Sequence, residues 1–150
     1  MLALIFDTET TGLLPSYYFK TNNKTCDDFI NDFPHIVQLS FILFDCETLK
    51  IIESYDYVIK VPDEVQIPES SFKIHGIDKK RSNEEGDDIT KCLNTLGDVY
   101  KKADIIVAHN LEFDLPVIQI EGKRNNIGEI MNKNDNGKDF YCNMKRTIKL

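Results

Sequence analysis

The sequence lacks the features of a membrane-spanning protein, a secreted protein or a small zinc-binding module. The 150-residue sequence contains no apolar run of about 18 residues, the length that a transmembrane helix needs. The amino terminus has neither the basic start nor the apolar stretch of a signal peptide, so we expect an intracellular, non-secreted protein without a membrane partner. Cys26, Cys46, Cys92 and Cys142 are far apart, which excludes a zinc knuckle or a Cys-x-x-Cys motif and predicts free thiols.

Basic charge is also scarce in this sequence. Lysine and arginine total 18 against 25 aspartates and glutamates, which gives a net charge of −7. Such a domain does not coat nucleic acid by bulk charge, because binding through counterion release needs a basic face. Any nucleic acid would have to be held at a local site, or through metal ions that offset carboxylates. The hydrophobic share of 41% is ordinary for a globular chain, and the length predicts one domain.

The pattern of apolar residues predicts an α/β fold, a mixed sheet flanked by helices. Strands are predicted at residues 2–7, 36–44, 49–61, 104–108 and 140–144. The second and third strands have a short connection, typical of an antiparallel hairpin. An amphipathic helix is predicted over 87–102, and another shortly after Asn110, since Pro116 is tolerated only near a helix's first turn. The polar stretch 15–33 predicts a surface insertion loop, and residues 122–138 predict a second loop.

The clearest candidate site follows the first predicted strand, where residues 7–13 read DTETTGL. Because side chains alternate along a strand, Asp7 and Glu9 project from the same face. Two carboxylates so close repel each other unless one is protonated or a cation lies between them. Their hard oxygen atoms suit Mg²⁺ or Mn²⁺ better than zinc. The alternative is a pair of solvated acids at a strand–turn junction.

A second candidate segment, HNLEFD at residues 109–114, follows the fourth predicted strand. Asp114 would join the first two acids if the first and fourth strands are parallel neighbours. Asn110 could cap the helix that follows. Phe113 is a core residue or a packing surface for a base.

Together these segments resemble the DEDD-type, DnaQ-like (DEDDh) 3′→5′ exonuclease family of the ribonuclease-H-like superfamily. Its first motif reads D-x-E-T-T-G-L and its second reads H-N-x-x-F-D, and residues 7–13 and 109–114 match both at every specified position. Residues 67–68 and 74–77 look like the family's intermediate loop, and residues 34–39 look like its second strand. The resemblance implies a ribonuclease-H-like fold with a mixed five-stranded sheet.

The resemblance also implies a reaction and a role for each matched residue. Asp7, Glu9 and Asp114 would be the catalytic acids and the ligands of two divalent ions, Mg²⁺ or Mn²⁺. The reaction would remove nucleotides from a single-stranded 3′ end of DNA or RNA, as in proofreading by DNA polymerase III epsilon-like proteins, with a DNA polymerase as a partner. The implied substrate-binding residues are Thr8, Thr10, Thr11, Leu13, His75, Asn110 and Phe113.

The family's third motif, H-x-x-x-x-D, has no counterpart that fits this sequence. His109 and Asp114 have that spacing, but they already match the second motif. We therefore expect one exonuclease-like domain over residues 1–150 that lacks its C-terminal helices, its fourth acid and its general base. Three alternatives stay open: a piece of a longer enzyme, a site completed by another chain, or a relative that binds nucleic acid or a polymerase without catalysis.

One other enzyme class also begins with an acid at the end of its first strand. Aspartyl-phosphate phosphatases have this arrangement, but they need aspartate two residues later, where this chain has Glu9. The matching downstream lysine and acid pair is also missing, so the sequence favours the nuclease.

Overall fold

The computed structural model describes residues 1–20, 30–134 and 137–147, and its centre is a five-stranded sheet. The strands are β1 (Leu2–Thr10), β2 (Ile36–Asp45), β3 (Lys50–Val58), β4 (Ile105–Ala108) and β5 (Asp139–Cys142). Their order is β3-β2-β1-β4-β5, in which β1, β2 and β3 are antiparallel neighbours and β4 and β5 run parallel to β1. This confirms the predicted α/β class and the mixed sheet.

Helices flank the sheet. They are α1 (Glu69–His75), α2 (Lys79–Glu85), α3 (Ile89–Lys102), α4 (Leu111–Arg124) and α5 (Asn143–Thr147), with a 3-10 turn at Tyr18–Lys20. As the periodicity predicts, α3 starts after an acid: the Asp88 side chain accepts a hydrogen bond from the Lys91 N–H at 3.1 Å. Across the described ranges, no helix has the length and apolar character needed to cross a membrane.

Several element boundaries differ from those that the sequence predicts. The third strand ends at Val58 rather than near residue 61, because Ile59 leaves the ladder and forms an isolated bridge with Asp87. Helix α4 begins at Leu111, which confirms the helix predicted shortly after Asn110, although Pro116 lies in its second turn and not in its first. The predicted insertion over 15–33 is only partly visible, since residues 21–29 lie outside the described residues.

The region between β3 and α3 also differs from the sequence prediction, which is a loop. It contains α1 and α2 instead. Helix α1 follows Pro68 and ends at Gly76, whose φ of 70° is the left-handed conformation that glycine adopts without strain. With 7 residues each, α1 and α2 are too short to show a helical period in the sequence.

The core lies between one face of the sheet and helices α3 and α4. Along β1 the buried residues alternate with more exposed ones, so that Leu4 and Phe6 face the core while Ile5 and Asp7 face outward. Burying each large apolar side chain contributes about 1.5–3 kcal/mol, which fixes this register. The same alternation sends Asp7 and Glu9 to the open face, near the carboxyl end of the central strand.

Candidate active site

The parallel pairing of β1 with β4 brings the two candidate segments together. Phe6 is paired with Ala108, the last residue of β4, so both strands run their carboxyl ends to one edge of the sheet. The DTETTGL segment continues from β1 at this edge, and HNLEFD leads from β4 into α4. Open α/β sheets place their ligands at this kind of edge.

Asp114 reaches β1 from the first turn of α4. Its Oδ1 accepts hydrogen bonds from the Thr8 hydroxyl at 2.6 Å and from the Thr8 N–H at 3.2 Å, and only 2% of the residue is exposed. The pKa of Asp114 is raised from 3.8 to about 6, mainly by burial; the hydrogen bonds from Thr8 oppose the rise and the negative charge of Asp7 adds to it. The Asp114 carboxyl therefore titrates close to neutral pH.

Asp7, Glu9 and Asp114, which we call the carboxylate cluster, all have raised pKa values. Burial raises the pKa of Asp7, and nearby His109 opposes the rise. Burial and the charge of Asp7 raise the pKa of Glu9, and His75 opposes it. Negative charge is therefore costly here, a cost that a bound cation would remove.

The cluster is not a preassembled metal cage. Within the ranges that the structure describes, no three histidine, cysteine, aspartate or glutamate side chains lie close enough together to hold a metal ion. Asp7 and Glu9 lie on the outward face of β1. Asp114 instead accepts a hydrogen bond from Thr8, the residue between them, which points to the opposite, buried face. The donors have the right chemistry for a hard divalent ion, but the three carboxylates do not converge on one point.

A cavity of about 610 Å³, which we call the groove, adjoins the cluster at Glu9. Its lining comes from the segment after β1, from α1 and from the residues around the start of α4. The residues that line it are Thr8, Glu9, Thr10, Thr11, Gly12, Leu13, Pro68, Ser70, Ser71, Ile74, His75, Asn110 and Phe113. Every residue that the sequence predicts to bind substrate is in this set. The volume lies within the usual range for a small-ligand pocket.

The groove has two exposed aliphatic side chains on its walls. Leu13 is 85% exposed and Ile74 is 80% exposed, far more than an aliphatic residue in a core. Exposed apolar side chains beside a cluster of acids are typical of a binding surface. The motif includes Leu13, but Ile74 belongs to α1, and sequence reasoning missed it together with Ser70 and Ser71.

Thr11 forms the part of the groove that the rest of the fold holds most firmly. Its N–H donates to the His35 carbonyl at 2.9 Å, and its hydroxyl accepts from the His35 N–H at 3.0 Å. The Ser71 hydroxyl donates to the Thr11 carbonyl at 2.9 Å. This turn is therefore fixed from one side by the segment entering β2 and from the other by α1.

His75 lines the groove and has one ring nitrogen without a hydrogen-bond partner among the described residues. Its Nδ1 accepts a hydrogen bond from the Ile77 N–H at 3.1 Å, so the proton of the neutral ring resides on Nε2. That Nε2 atom is buried and has no hydrogen-bond partner among the described residues. An unsatisfied buried donor costs about 1–3 kcal/mol, which is a reason to expect a ligand acceptor there.

The structure places two residues of the second segment differently from the simplest expectation. Asn110 occupies the N-cap position of α4, but its side chain makes no capping hydrogen bond, so that prediction was wrong. Its side chain lines the groove instead. Phe113 is half-buried: it packs against the main core and also lines the groove.

Comparisons with known proteins agree with this geometry. Residues 4–150 match the model of the RNase_T family, described as exonuclease. No curated protein is significantly similar to the chain in sequence.

Solved structures of exonuclease I share the fold. The E. coli enzyme in complex with a dT13 oligonucleotide has a TM-score of 0.71 and 16% identity, covering 94% of this chain and 27% of that one. Product-bound exonuclease I has a TM-score of 0.75 and 17% identity, covering 97% and 30%. The E. coli enzyme with a 5cy-dT13 oligonucleotide has a TM-score of 0.75 and 17% identity, covering 97% and 29%.

This chain thus spans less than a third of the length of those exonuclease I chains. What it shares with them is the fold, a mixed five-stranded sheet flanked by helices. Because the family model matches residues 4–150, the chain belongs to the RNase_T exonuclease family, in the DnaQ-like, ribonuclease-H-like superfamily.

Proposed function

We propose that this chain carries the site of a 3′→5′ exonuclease that removes nucleotides from single-stranded DNA by metal-dependent phosphodiester hydrolysis. One observation supports this most strongly: a groove of about 610 Å³, lined by every residue predicted to bind substrate, adjoins the carboxylate cluster at Glu9. Single-stranded DNA is the favoured substrate because similar exonuclease I structures contain dT13 and dA16 oligonucleotides.

The carboxylate cluster fits Mg²⁺ or Mn²⁺ in its chemistry. Asp7, Glu9 and Asp114 offer hard oxygen donors, and their raised pKa values mark a place where positive charge is stabilising. We assign these three acids as ligands of two divalent ions. Held by these acids, such ions would supply a positive charge that favours the ionisation of water and offsets negative charge on the leaving 3′ oxygen.

The groove residues divide between the base and the sugar of the terminal nucleotide. Leu13, Ile74 and Phe113 offer apolar surface on which a base packs. The Thr11 turn holds the sugar, because its backbone is already fixed by His35 and Ser71. The Nε2–H of His75 donates to a sugar or phosphate oxygen, which satisfies the buried donor.

Catalysis by this chain alone is expected to be weak. The sequence has no segment that provides the family's third motif, and loss of a positioned general base costs about 10²–10⁴-fold in rate. The missing third motif also favours the second candidate function, which is binding of nucleic acid or a polymerase without cleavage. Proofreading with a polymerase partner is the narrower form of the first proposal, and it rests on the resemblance of the two motifs.

The test is an incubation of the chain with 5′-labelled oligothymidylate and Mn²⁺, followed by separation of products by length. We expect slow shortening from the 3′ end, abolished by EDTA and by Asp7→Asn but not by Asp63→Asn, a change at an exposed aspartate. Binding without shortening would favour the non-catalytic relative. A chain that neither binds nor cuts the oligonucleotide, or that acts only on an RNA of the same length, would contradict the proposal.

A further inference from the structure

A buried carboxylate at the far end of α4 has no part in the site described so far. Glu121 is 3% exposed. Its Oε1 accepts a hydrogen bond from the Ile36 N–H at 3.2 Å and from Arg124 Nη1 at 3.1 Å, and it lies 3.2 Å from His35 Nδ1. A charge buried this deeply is retained only with such partners, and removing one of them is costly.

Arg124 extends this network to the backbone that leads into β2. Its Nε donates to the Ile30 carbonyl at 2.8 Å, its Nη1 to the Pro34 carbonyl at 3.0 Å and its Nη2 to the Phe33 carbonyl at 2.5 Å. The planar guanidinium thus binds three backbone carbonyls within residues 30–34, which the point charge of a lysine could not do. Glu121 in turn orients Arg124.

The segment held by this pair is the one that fixes the groove. His35 contacts Glu121 through its ring, while its backbone makes both hydrogen bonds to Thr11. An unbroken chain of contacts therefore runs from Glu121 through His35 to the Thr11 turn.

The same helix also holds the other end of the site. Asp114 and Glu121 are separated by about two turns of α4, so they lie on nearly the same face of the helix. Asp114 is bonded to Thr8 and Glu121 is linked to Thr11. Helix α4 therefore contacts the site at two places, directly at Thr8 and through His35 at the Thr11 turn.

We propose that Glu121, together with Arg124, is a positioning residue that holds the Thr11 turn of the groove in the conformation that receives a terminal nucleotide. The alternative is that the pair only stabilises the fold as a whole. The part of the proposal that concerns the nucleotide rests on the proposed function, whereas the link to Thr11 does not.

The experiment compares wild type, Glu121→Gln and Arg124→Lys in amide hydrogen exchange and in binding of oligothymidylate with Mn²⁺. Glu121→Gln keeps the shape of the side chain but removes its charge, and Arg124→Lys keeps the charge but removes the planar donor group. Glu84→Gln, at an exposed position of α2, is the matched control. For both test variants we expect about tenfold faster exchange at the Thr11 amide and about tenfold weaker binding, the usual effect of losing one hydrogen bond. Exchange of the β1 core amides at residues 3–6 should stay as in wild type.

Unchanged exchange at Thr11 in a folded variant would overturn the proposal, and so would an equal acceleration of all amides, which indicates a general loss of stability. If Glu121→Gln does not fold, Arg124→Lys decides between these results. If Thr11 exchange accelerates while wild type itself fails to bind the oligonucleotide, the positioning link is supported and the proposed function is refuted. Normal binding by a variant with accelerated Thr11 exchange would refute the nucleotide-receiving role.

Discussion

Replacing Asp114 by asparagine should make the metal-free protein more stable at neutral pH. The carboxylate is 2% exposed, and burial raises its pKa from 3.8 to about 6. That shift corresponds to about 3 kcal/mol between the folded and unfolded states. Asparagine keeps an oxygen that accepts the hydrogen bonds from Thr8 but carries no charge to bury.

The pH dependence of this effect follows from the direction of the shift. Because the folded-state pKa of Asp114 is higher than the unfolded one, the folded protein binds more protons between about pH 4 and pH 6. The contribution of Asp114 to native stability therefore decreases as the pH rises through that window, and that contribution is constant on either side. The gain from Asp114→Asn should be absent below about pH 4 and complete above about pH 7.

The assay is urea unfolding followed by circular dichroism, in EDTA, at a series of pH values from 3 to 8. At pH 8 we expect the free energy of unfolding to rise by about 1–3 kcal/mol, with no rise at pH 3. Asp63→Asn, at an exposed aspartate, is the control and should change little at any pH. If the variant is less stable at pH 8, or equally stabilised at every pH, the reasoning is refuted. Either result would show that burying the charge of Asp114 does not destabilise the folded protein.

The remaining predictions concern the metal, a close contact and a thiol. Calorimetric titration with Mn²⁺ should show about tenfold or more weaker binding for Asp7→Asn, and equal affinity would remove Asp7 from the ligand set. Gly86→Ala should lower the free energy of unfolding by about 3 kcal/mol, because its Cβ would lie 2.1 Å from a backbone oxygen. Gly12→Ala, with nothing within 4 Å of the added Cβ, should cost less than about 1 kcal/mol in the same urea assay. Burial raises the pKa of the Cys92 thiol to about 12, so Cys92 should resist iodoacetamide at pH 8 in the native protein. Half-buried Cys46 is the control and should react. Rapid labelling of Cys92 would contradict this prediction and would mean that α3 opens readily.

Sequence reasoning succeeded where the signal is local. The apolar run that ends at Asp7 predicts β1, and the alternation of a strand predicts that Asp7 and Glu9 share its outer face. The sequence leaves the adjacency of β1 and β4 as the condition under which Asp114 joins the other two acids, and the pairing of Phe6 with Ala108 meets that condition. The strand and the shared face of Asp7 and Glu9 depend on residues a few positions apart, which is the range that a sequence pattern covers.

The features that sequence reasoning missed depend on residues far apart in the chain. Glu121 is buried because it contacts Ile36 and the segment before it, more than eighty residues away in the chain. Nothing in the sequence distinguishes a buried glutamate from a solvent-exposed one. Ile74 was assigned to a loop because α1 has only 7 residues. Its place on the wall of the groove depends on how that helix packs beside the DTETTGL segment.

The central strand of the sheet is also the first to leave the ribosome. One edge of β1 pairs with β2 almost at once, but the other is completed only when Ile105–Ala108 has been made. Synthesis from the end of β2 at Asp45 to the end of β4 at Ala108 takes roughly 3–13 seconds at typical rates, and during this time the nascent sheet has an open edge to which other chains can add. Charged residues at such an edge oppose aggregation. Asp7 and Glu9, which follow the β1 residues that pair with β4, should therefore oppose aggregation of the growing polypeptide.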